Sequence, residues 1–423
     1  MKTKLLAGVI ATCFAAPVLA QSSVQIYGIA DAGIMKTKGE QTKIVSGIAD
    51  GSRLGFKGTE DIGGGFKAIF NLEARIELDT GSQTPSLLYN NDGLYLMRGM
   101  GSLPASIRTG LATQLRGFGV AAVNSEKALF DRTAMVGLIT PVGAILIGRM
   151  YTPGYEVFAA SDTFESGTAG AWGGITGGTA GFTALGADIR SQKSIQYRIA
   201  TPAGFGGSLM YGTKNSGYLG RYNKFYGGAV TYKANGFDVG FAHNRGFDQN
   251  DNKSLTTSTI GGSYTMGDFK FFVGYHDQKN MNSVLVRDYV GAWDAAIAPS
   301  LAPLGAPTAT ALRNVFVTNI TRNTQIDAAS AQVGMHYKIG AGRIMASVAR
   351  QNDRTASNSD ATLFALGYDY NLSKRTDVYT VVANIRNNNE AQYTPGAAGA
   401  PGGFTKVPGE DSRAIQVGIR HRF

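Results

Sequence analysis

Apolar and polar residues alternate between residues 51 and 81, and this alternation predicts a hairpin of two long strands. In residues 66–78 every even position is apolar, while the odd positions, apart from Ile69, are polar or charged. Side chains of a strand point alternately to opposite faces, so one face is apolar and the other is charged. Soluble strands usually have about five or six residues, whereas strands of about nine to eleven residues with two such faces are typical of a wall between lipid and water. The pattern favours a membrane-spanning sheet.

The same alternation returns in further segments as far as the C-terminus. It occurs in residues 195–199, 226–232, 237–243, 260–266, 269–275, 329–339, 344–348, 364–372, 379–385 and 415–423. Short turns such as Asn235-Gly236 and Gly267-Asp268 alternate with long polar loops, as in outer-membrane barrels with short periplasmic turns and long extracellular loops. Lipid cannot satisfy a free sheet edge, so we expect the strand near Val24 to pair with the one ending at Phe423. The predicted fold is all-β, a closed transmembrane antiparallel β-barrel.

The number of strands depends on residues 88–113. This segment resembles residues 129–152, since each has two apolar runs around a turn containing Gly and Pro. Duplication of one hairpin explains the likeness, and a long loop with an accidental likeness is the alternative. We expect two wall strands here, because a polar loop has no need of residues such as Leu96, Ile107 and Leu111. The barrel then has eighteen strands, or sixteen if the segment lies outside the wall.

Two long segments interrupt the alternation. Residues 153–188 are rich in glycine and barely periodic, and residues 280–327 are rich in alanine and contain several prolines. A long loop without periodicity inside an ordered domain is usually functional or disordered. We do not interpret the glycines as a phosphate site, because no strand-to-helix pattern surrounds them.

The N-terminus has the pattern of a secretory signal peptide. Lys2 and Lys4 precede an apolar run that is too short to span a bilayer, and small residues lead to Ala20. We expect residues 1–20 to be cleaved, which removes Cys13 and leaves residues 21–423 as one barrel domain without a thiol.

Composition and charge exclude several other classes. The 57 glycines and 40 Tyr and Phe residues, with only 12 prolines, favour strands and tight turns. No run of eighteen apolar residues follows Ala20, which excludes helical spanning. The net charge of +10 falls to +8 without Lys2 and Lys4, and the basic residues are spread through the strands instead of forming runs, so we expect no nucleic-acid partner.

Candidate catalytic chemistry is sparse. The four histidines do not lie near a nucleophile motif, and no HExxH or clustered ligand spacing occurs. We therefore expect no enzyme activity, no metal and no cofactor.

Four segments, spread over the mature length, resemble the trimeric Gram-negative porins of the β-proteobacterial and neisserial type. They are SSVQIYGIADAG, SRLGFKGTEDIGGGFKAIFNLE, IGRMYTPGYE and RAIQVGIRHRF. The resemblance implies a sixteen-strand homotrimeric barrel in the outer membrane that lets ions and small hydrophilic solutes diffuse through. It implies that a loop of about residues 153–190 folds into the lumen and constricts it. It also implies contact with lipid and lipopolysaccharide, and assembly by the barrel-assembly machinery, for which Phe423 is the signal.

The resemblance also indicates which side chains line the constriction. On the wall they are Arg53, Arg75, Arg132 and Arg149, and on the loop Glu156, Asp162 and Glu165. Other lumen residues are Lys57, Glu73 and Arg198. The alternation alone places Arg53, Lys57, Arg75 and Arg198 on the water side but does not decide Arg132 or Arg149.

The excess of basic side chains predicts a weak preference for anions. Charges at a narrow, low-dielectric constriction act on permeating ions more strongly than charges in bulk water do. A substrate-specific channel for sugars or carboxylates is the alternative.

Overall fold

The computed structural model describes residues 23–83, 94–124, 128–176, 189–217, 220–398 and 402–423, without the side chains of 116–124. Seventeen strands of this part of the chain form a single antiparallel sheet. They are β1 (Ser23–Thr37), β2 (Lys43–Ser46), β3 (Arg53–Gly63), β4 (Phe66–Arg75), β5 (Thr133–Thr140), β6 (Gly143–Tyr151), β7 (Arg190–Ala200), β8 (Phe205–Gly217), β9 (Lys224–Ala234), β10 (Phe237–Phe247), β11 (Lys253–Met266), β12 (Phe269–Asn280), β13 (Ile326–Ile339), β14 (Gly342–Asp353), β15 (Ala361–Asn371), β16 (Thr376–Asn387) and β17 (Ser412–Arg422).

The sheet closes on itself through β1. One edge of β1 pairs with β17, and its other edge pairs with β2 and β3. Because β2 and β3 lie along the same edge, they share one position in the wall, and the described strands fill sixteen positions. The backbones of Gly28 and Phe423 exchange two hydrogen bonds, of 3.0 and 3.1 Å, at the seam. The predicted closed barrel is confirmed.

The outer face of the barrel is apolar, as the alternation predicts. Large apolar side chains such as Ile260, Val273 and Val417 are more than half exposed on this face. At one end of the barrel the hairpins are tight: Asn235 and Gly236 have φ values of 53° and 82°. A type I′ turn needs positive φ at both positions, which Asn and Gly tolerate best.

β16 is an exception to the outward apolar face. The apolar residues that the alternation assigns to the outer face of this strand are buried, whereas Val382, which it assigns to the inner face, is 51 % exposed. The four residues that point inward are Tyr379, Val381, Ala383 and Ile385. They pack in one apolar cluster with Phe164 and Trp172, so this part of the inner wall supports a loop instead of facing water. Because the inward phase of β16 is the more apolar one and the outward phase has only Val378 and Val382 as apolar residues, the alternation predicts the wrong face for this strand.

The prediction that residues 88–113 supply two wall strands is wrong. Residues 88–93 lie outside the described part, and the rest contain a 3-10 turn (Leu94–Met97) and the start of helix α1 (Ala105–Asn124). The duplication is wrong as well, because residues 129–152 contain β5 and β6. Leu103, Ile107, Leu111 and Leu115 are buried at a spacing of four, which is the spacing of one helix face.

Residues 281–325 form further helices instead of an irregular loop. These are α3 (Val286–Ala296), α4 (Ala298–Leu301) and α5 (Ala306–Asn323). Helix α2 (Pro153–Ser161) lies between β6 and β7. Trp293 and Phe316 stack with ring centroids 4.7 Å apart, in one apolar cluster with Leu96 and Leu111. We call α1, α3, α4, α5 and the Leu94–Met97 turn the helical cap, which lies at the barrel end with long loops. Every helix among the described residues is too short or too polar to cross a bilayer.

We expect charge on the outer face to be costly according to its depth. Leu366 and Leu372 are both 58 % exposed, but Leu366 lies in the middle of β15 and Leu372 lies just beyond its end. An arginine costs about 2–4 kcal/mol at the bilayer midplane and about 0–1 kcal/mol near the interface. Leu366→Arg should therefore lower the yield of folded barrel, measured by heat-modifiable gel mobility, and Leu372→Arg should leave it close to wild type. Equal yields of the two variants would contradict this orientation of β15.

Candidate functional site

The loop between β6 and β7 folds into the barrel, and we call its described residues 152–176 the inner loop. Its helix α2 begins at Thr152, whose Oγ1 accepts a hydrogen bond from the Tyr155 N–H at 3.2 Å, with Pro153 in the first turn. A hydroxyl cap followed by proline favours a helix start. The loop therefore leaves the wall as a helix.

Side chains from distant strands hold the inner loop inside the lumen. Asn244 of β10 accepts a hydrogen bond from the Gly154 N–H (3.2 Å). Gln332 of β13 donates one to the Ser161 carbonyl (2.6 Å), and Gln416 of β17 accepts one from the Ala169 N–H (2.7 Å). Because these strands lie around much of the wall, the loop crosses the interior.

Asp162 organises the turn that follows α2. Its carboxylate accepts hydrogen bonds from the N–H groups of Phe164, Ser166 and Trp172, at 3.0, 3.2 and 3.1 Å, and it is fully buried. Ser166 and Thr168 have φ values of 59° and 61°, which residues with a side chain seldom adopt. Burial raises the pKa of Asp162 to about 7, while the three donors favour its ionised form. Asp162 therefore shapes the loop.

Glu165 fixes the tip of the inner loop to the wall. Both of its carboxylate oxygens accept hydrogen bonds from Arg343 of β14, at 2.6 and 2.9 Å. Burial opposes ionisation of Glu165, but the hydrogen bonds and charge of Arg343 outweigh it and lower its pKa to about 2. This pair is ionised at neutral pH.

The wall itself bends inward between β2 and β3, and we call residues 47–52 the inward bend. The Asp31 carboxylate accepts hydrogen bonds from the N–H groups of Ile48, Ala49 and Asp50, at 3.1, 3.1 and 2.8 Å. The Ile48 carbonyl in turn accepts one from the Thr168 N–H of the inner loop at 2.6 Å. The bend brings Asp50 into the lumen and gives the inner loop a second support.

A second loop also folds inward, from between β16 and β17. We call its described residues 391–398 and 402–404 the folded outer loop. Gln416 donates a hydrogen bond to the Gly396 carbonyl (2.8 Å), and Asn387 donates one to the Tyr393 carbonyl (2.9 Å). Phe404 stacks on Tyr95 of the helical cap with centroids 3.8 Å apart. This loop connects the cap to the interior.

The inner loop, the inward bend and the folded outer loop surround a cavity of about 460 Å³. Five predicted site residues line it together: Arg53, Arg75, Arg132, Glu156 and Glu165. Two charged lining residues, Asp50 and Arg190, escaped the sequence analysis, and so did five aromatic ones, namely Tyr151, Tyr155, Phe158, Tyr393 and Phe404. Arg190 is an even-numbered residue like Arg198, so extending the alternation of this segment back to residue 190 would have placed it on the water side. Asp50 lies where the alternation is interrupted.

Carboxylates near the cavity are shared between wall arginines. Glu73 accepts a hydrogen bond from Arg132 Nε at 2.6 Å and lies 3.8 Å from Arg53 Nη1. Arg75 forms ion pairs with Glu77 at 2.9 Å and Asp131 at 3.4 Å. One buried carboxylate thus serves two arginines of the cavity wall.

Other predicted site residues lie away from the cavity. Arg149 Nε donates a hydrogen bond to the Asp131 carbonyl at 2.7 Å. Lys57 lies over the Tyr27 ring, 4.9 Å from its centroid, beside a separate small pocket. Arg198 forms an ion pair with Glu156. Within the described residues, no three His, Cys, Asp or Glu side chains are grouped so as to hold a metal ion.

We expect Asp162 to control the order of the inner loop. Asp162→Ala removes the acceptor of three N–H groups, and a hydrogen bond to a charged group contributes about 1.5–3 kcal/mol. Hydrogen exchange of the Phe164, Ser166 and Trp172 amides, followed by mass spectrometry in micelles, should accelerate about tenfold or more. The control Asp61→Ala removes a carboxylate that accepts a hydrogen bond from the Gly63 N–H in the turn between β3 and β4, so it should leave the three amides as protected as in wild type. An equal acceleration in both variants would contradict the role of Asp162.

Comparisons with known proteins agree with this architecture. The family model described as Gram-negative porin matches residues 6–390. The chain is 27 % identical over 435 residues to outer membrane porin protein 32 of Delftia acidovorans, and 24 % identical over 474 residues to an outer membrane porin protein of Bordetella pertussis. Each comparison covers 100 % of both chains.

Solved porin structures share the fold. An anion-selective porin from Comamonas acidovorans superimposes with a TM-score of 0.65 at 22 % identity, over 95 % of this chain and all of that one. In vitro folded OmpT of Vibrio cholerae superimposes with a TM-score of 0.56 at 16 % identity, over 96 % of this chain and all of that one. With a closed sixteen-position barrel and a family match over most of its length, the chain belongs to the Gram-negative porin family and forms an outer-membrane channel for passive diffusion.

Proposed function

We propose that the 460 Å³ cavity is the constriction of this channel and that it gives a weak preference for anions. The observation that carries the proposal is the balance of lining charges. Four guanidinium groups, those of Arg53, Arg75, Arg132 and Arg190, line the cavity against three carboxylates, those of Asp50, Glu156 and Glu165.

Charges behind the lining leave the basic excess in place, because three outer acids (Glu73, Glu77 and Asp131) pair with lining arginines and three outer arginines (Arg198, Arg343 and Arg420) pair with lining carboxylates. Glu156 is paired with Arg198, and Glu165 is paired with Arg343, so arginines outside the lining offset both charges. Asp50 forms ion pairs with Arg53 at 3.0 Å and with Arg420 at 2.9 Å. Low-dielectric walls focus the remaining positive field on a permeating ion, which favours anions.

Each predicted site residue then has a proposed role. Arg53, Arg75 and Arg132 supply the positive wall, and Glu156 and Glu165 attach the inner loop to arginines. Glu73 orders two of the wall arginines. Asp162 gives the loop its shape, and Arg149 and Lys57 act on ions only at longer range.

We also propose how the channel is assembled. Residues 1–20 would be removed as a signal peptide, and residues 21–423 would form one barrel of a homotrimer in contact with lipid and lipopolysaccharide. Phe423, which is 46 % exposed on the last strand's outer face, would be the signal to the barrel-assembly machinery. We propose no enzymatic activity and no cofactor.

The zero-current potential in a KCl gradient across a planar bilayer tests the anion preference. Arg132→Ala should move this potential toward the cation side, because it removes a positive charge from the cavity wall. Arg375→Ala, in the tight turn between β15 and β16, removes the same charge far from the cavity and should leave the potential nearly unchanged.

Arg149→Ala should give a smaller shift than Arg132→Ala, because its guanidinium does not line the cavity. Glu156→Gln should move the potential toward anions. A strongly cation-selective wild type, or an unchanged potential in Arg132→Ala, would refute the proposed selectivity.

A further inference from the structure

The cavity has two chemically different sides. The arginines come from one arc of the wall between β3 and β7, since Arg53 begins β3, Arg75 ends β4, Arg132 precedes β5 and Arg190 begins β7. Another side is formed by the folded outer loop, which contributes Gly396, Ala397, Ala398 and Phe404 and is anchored on β16 and β17. The wall arginines therefore share the cavity with an apolar surface, and not with a row of unpaired carboxylates.

Among the four arginines that line the cavity, Arg190 is the one without an ion pair to a described carboxylate. It is 5 % exposed, and its Nη2 donates a hydrogen bond of 2.7 Å to the Tyr151 hydroxyl. Among the described residues no group accepts a hydrogen bond from its buried Nε. A buried donor without an acceptor costs free energy, and a buried guanidinium has a high affinity for a planar carboxylate.

Aromatic rings lie next to this guanidinium. The Arg190 guanidinium carbon lies 4.3 Å from the centroid of the Tyr151 ring. Tyr151 stacks on Tyr155 of the inner loop with centroids 5.1 Å apart and an interplanar angle of 22°. Tyr155 also lines the cavity, as does Phe404. The cavity therefore offers aromatic rings to a planar apolar group, and contacts between aromatic rings contribute beyond their buried area.

We propose that the cavity contains a saturable binding site for aromatic carboxylates, with the carboxylate on Arg190 and the ring between Tyr155 and Phe404. The inference rests on the proposed function, because it assigns a preferred class of solute to the same constriction. A volume of about 460 Å³ lies within the range of about 300–1,000 Å³ of small-molecule pockets. A small inorganic anion would use the charge but leave the apolar side without a contact, and an aromatic cation would be repelled.

Block of chloride current by benzoate in a planar bilayer tests the site. Benzoate should reduce the KCl conductance in a saturable manner, and acetate should need at least about tenfold higher concentration for the same reduction. Benzylamine, which has the ring but carries a positive charge, should not block. Equal potency of benzoate and acetate would overturn the inference, since it would show that only charge is recognised.

Variants of Arg190 separate charge from geometry. Arg190→Gln should raise the half-blocking benzoate concentration at least about tenfold, and Arg190→Lys should restore little of the block because lysine lacks the planar donor fork. Tyr155→Leu should weaken the benzoate block but not the weak acetate block. Arg375→Gln serves as the matched control with wild-type block, and heat-modifiable gel mobility checks that each variant folds.

The two proposals can fail separately. An anion-preferring wild type without saturable benzoate block overturns the aromatic site and leaves the anion preference intact. A cation-preferring zero-current potential in wild type overturns the anion preference itself. Benzoate block that persists unchanged in Arg190→Gln would also overturn the assignment of the carboxylate to Arg190.

Discussion

Inside the hydrocarbon of a bilayer a backbone N–H or C=O group has no water to bond, so every spanning strand must have a neighbour on both edges. The double pairing of β1 with β17 and with β2 and β3 meets this requirement. The same requirement applies to chain brought into a narrow lumen, where backbone groups are again shielded from water. Asp31 and Asp162 each satisfy three such N–H groups, which allows the inward bend and the inner loop to leave regular structure.

The electrostatics of the interior follow from sharing carboxylates among arginines. Glu73 is shared by Arg53 and Arg132, and Asp50 is shared by Arg53 and Arg420. Because one carboxylate is shared by two arginines, it holds both guanidinium groups in place but neutralises only one of the two positive charges. If unpaired carboxylates lay on the side of the cavity opposite the arginines, the lumen would be more nearly neutral. The position of each acidic residue therefore matters as much as the number of acidic residues.

The sequence predicts the parts of this protein in which one physical rule acts alone. Where a strand separates lipid from water, only one of its two faces is apolar, so the alternation identifies the face in contact with lipid. Val333 and its neighbour Gln332 in β13 are an example. In β16 the more apolar face packs on the inner loop, which is remote in sequence, so the alternation predicts the wrong face for this strand. A two-residue period does not predict the helical cap, whose residues Leu103, Ile107, Leu111 and Leu115 repeat every fourth position. Arg190 lies opposite Tyr151 because β6 and β7 pair in that register, and the alternation alone does not predict the register.

The inward bend has a consequence for how such a pore can vary. Residues 47–52 leave the wall between two strands that share one position, so they add to the interior without adding to the perimeter. Aperture and circumference are therefore independent properties of this barrel. Substitutions or changes of length in the bend can alter the width available to solutes while the wall keeps its sixteen positions and its fit to neighbouring lipid.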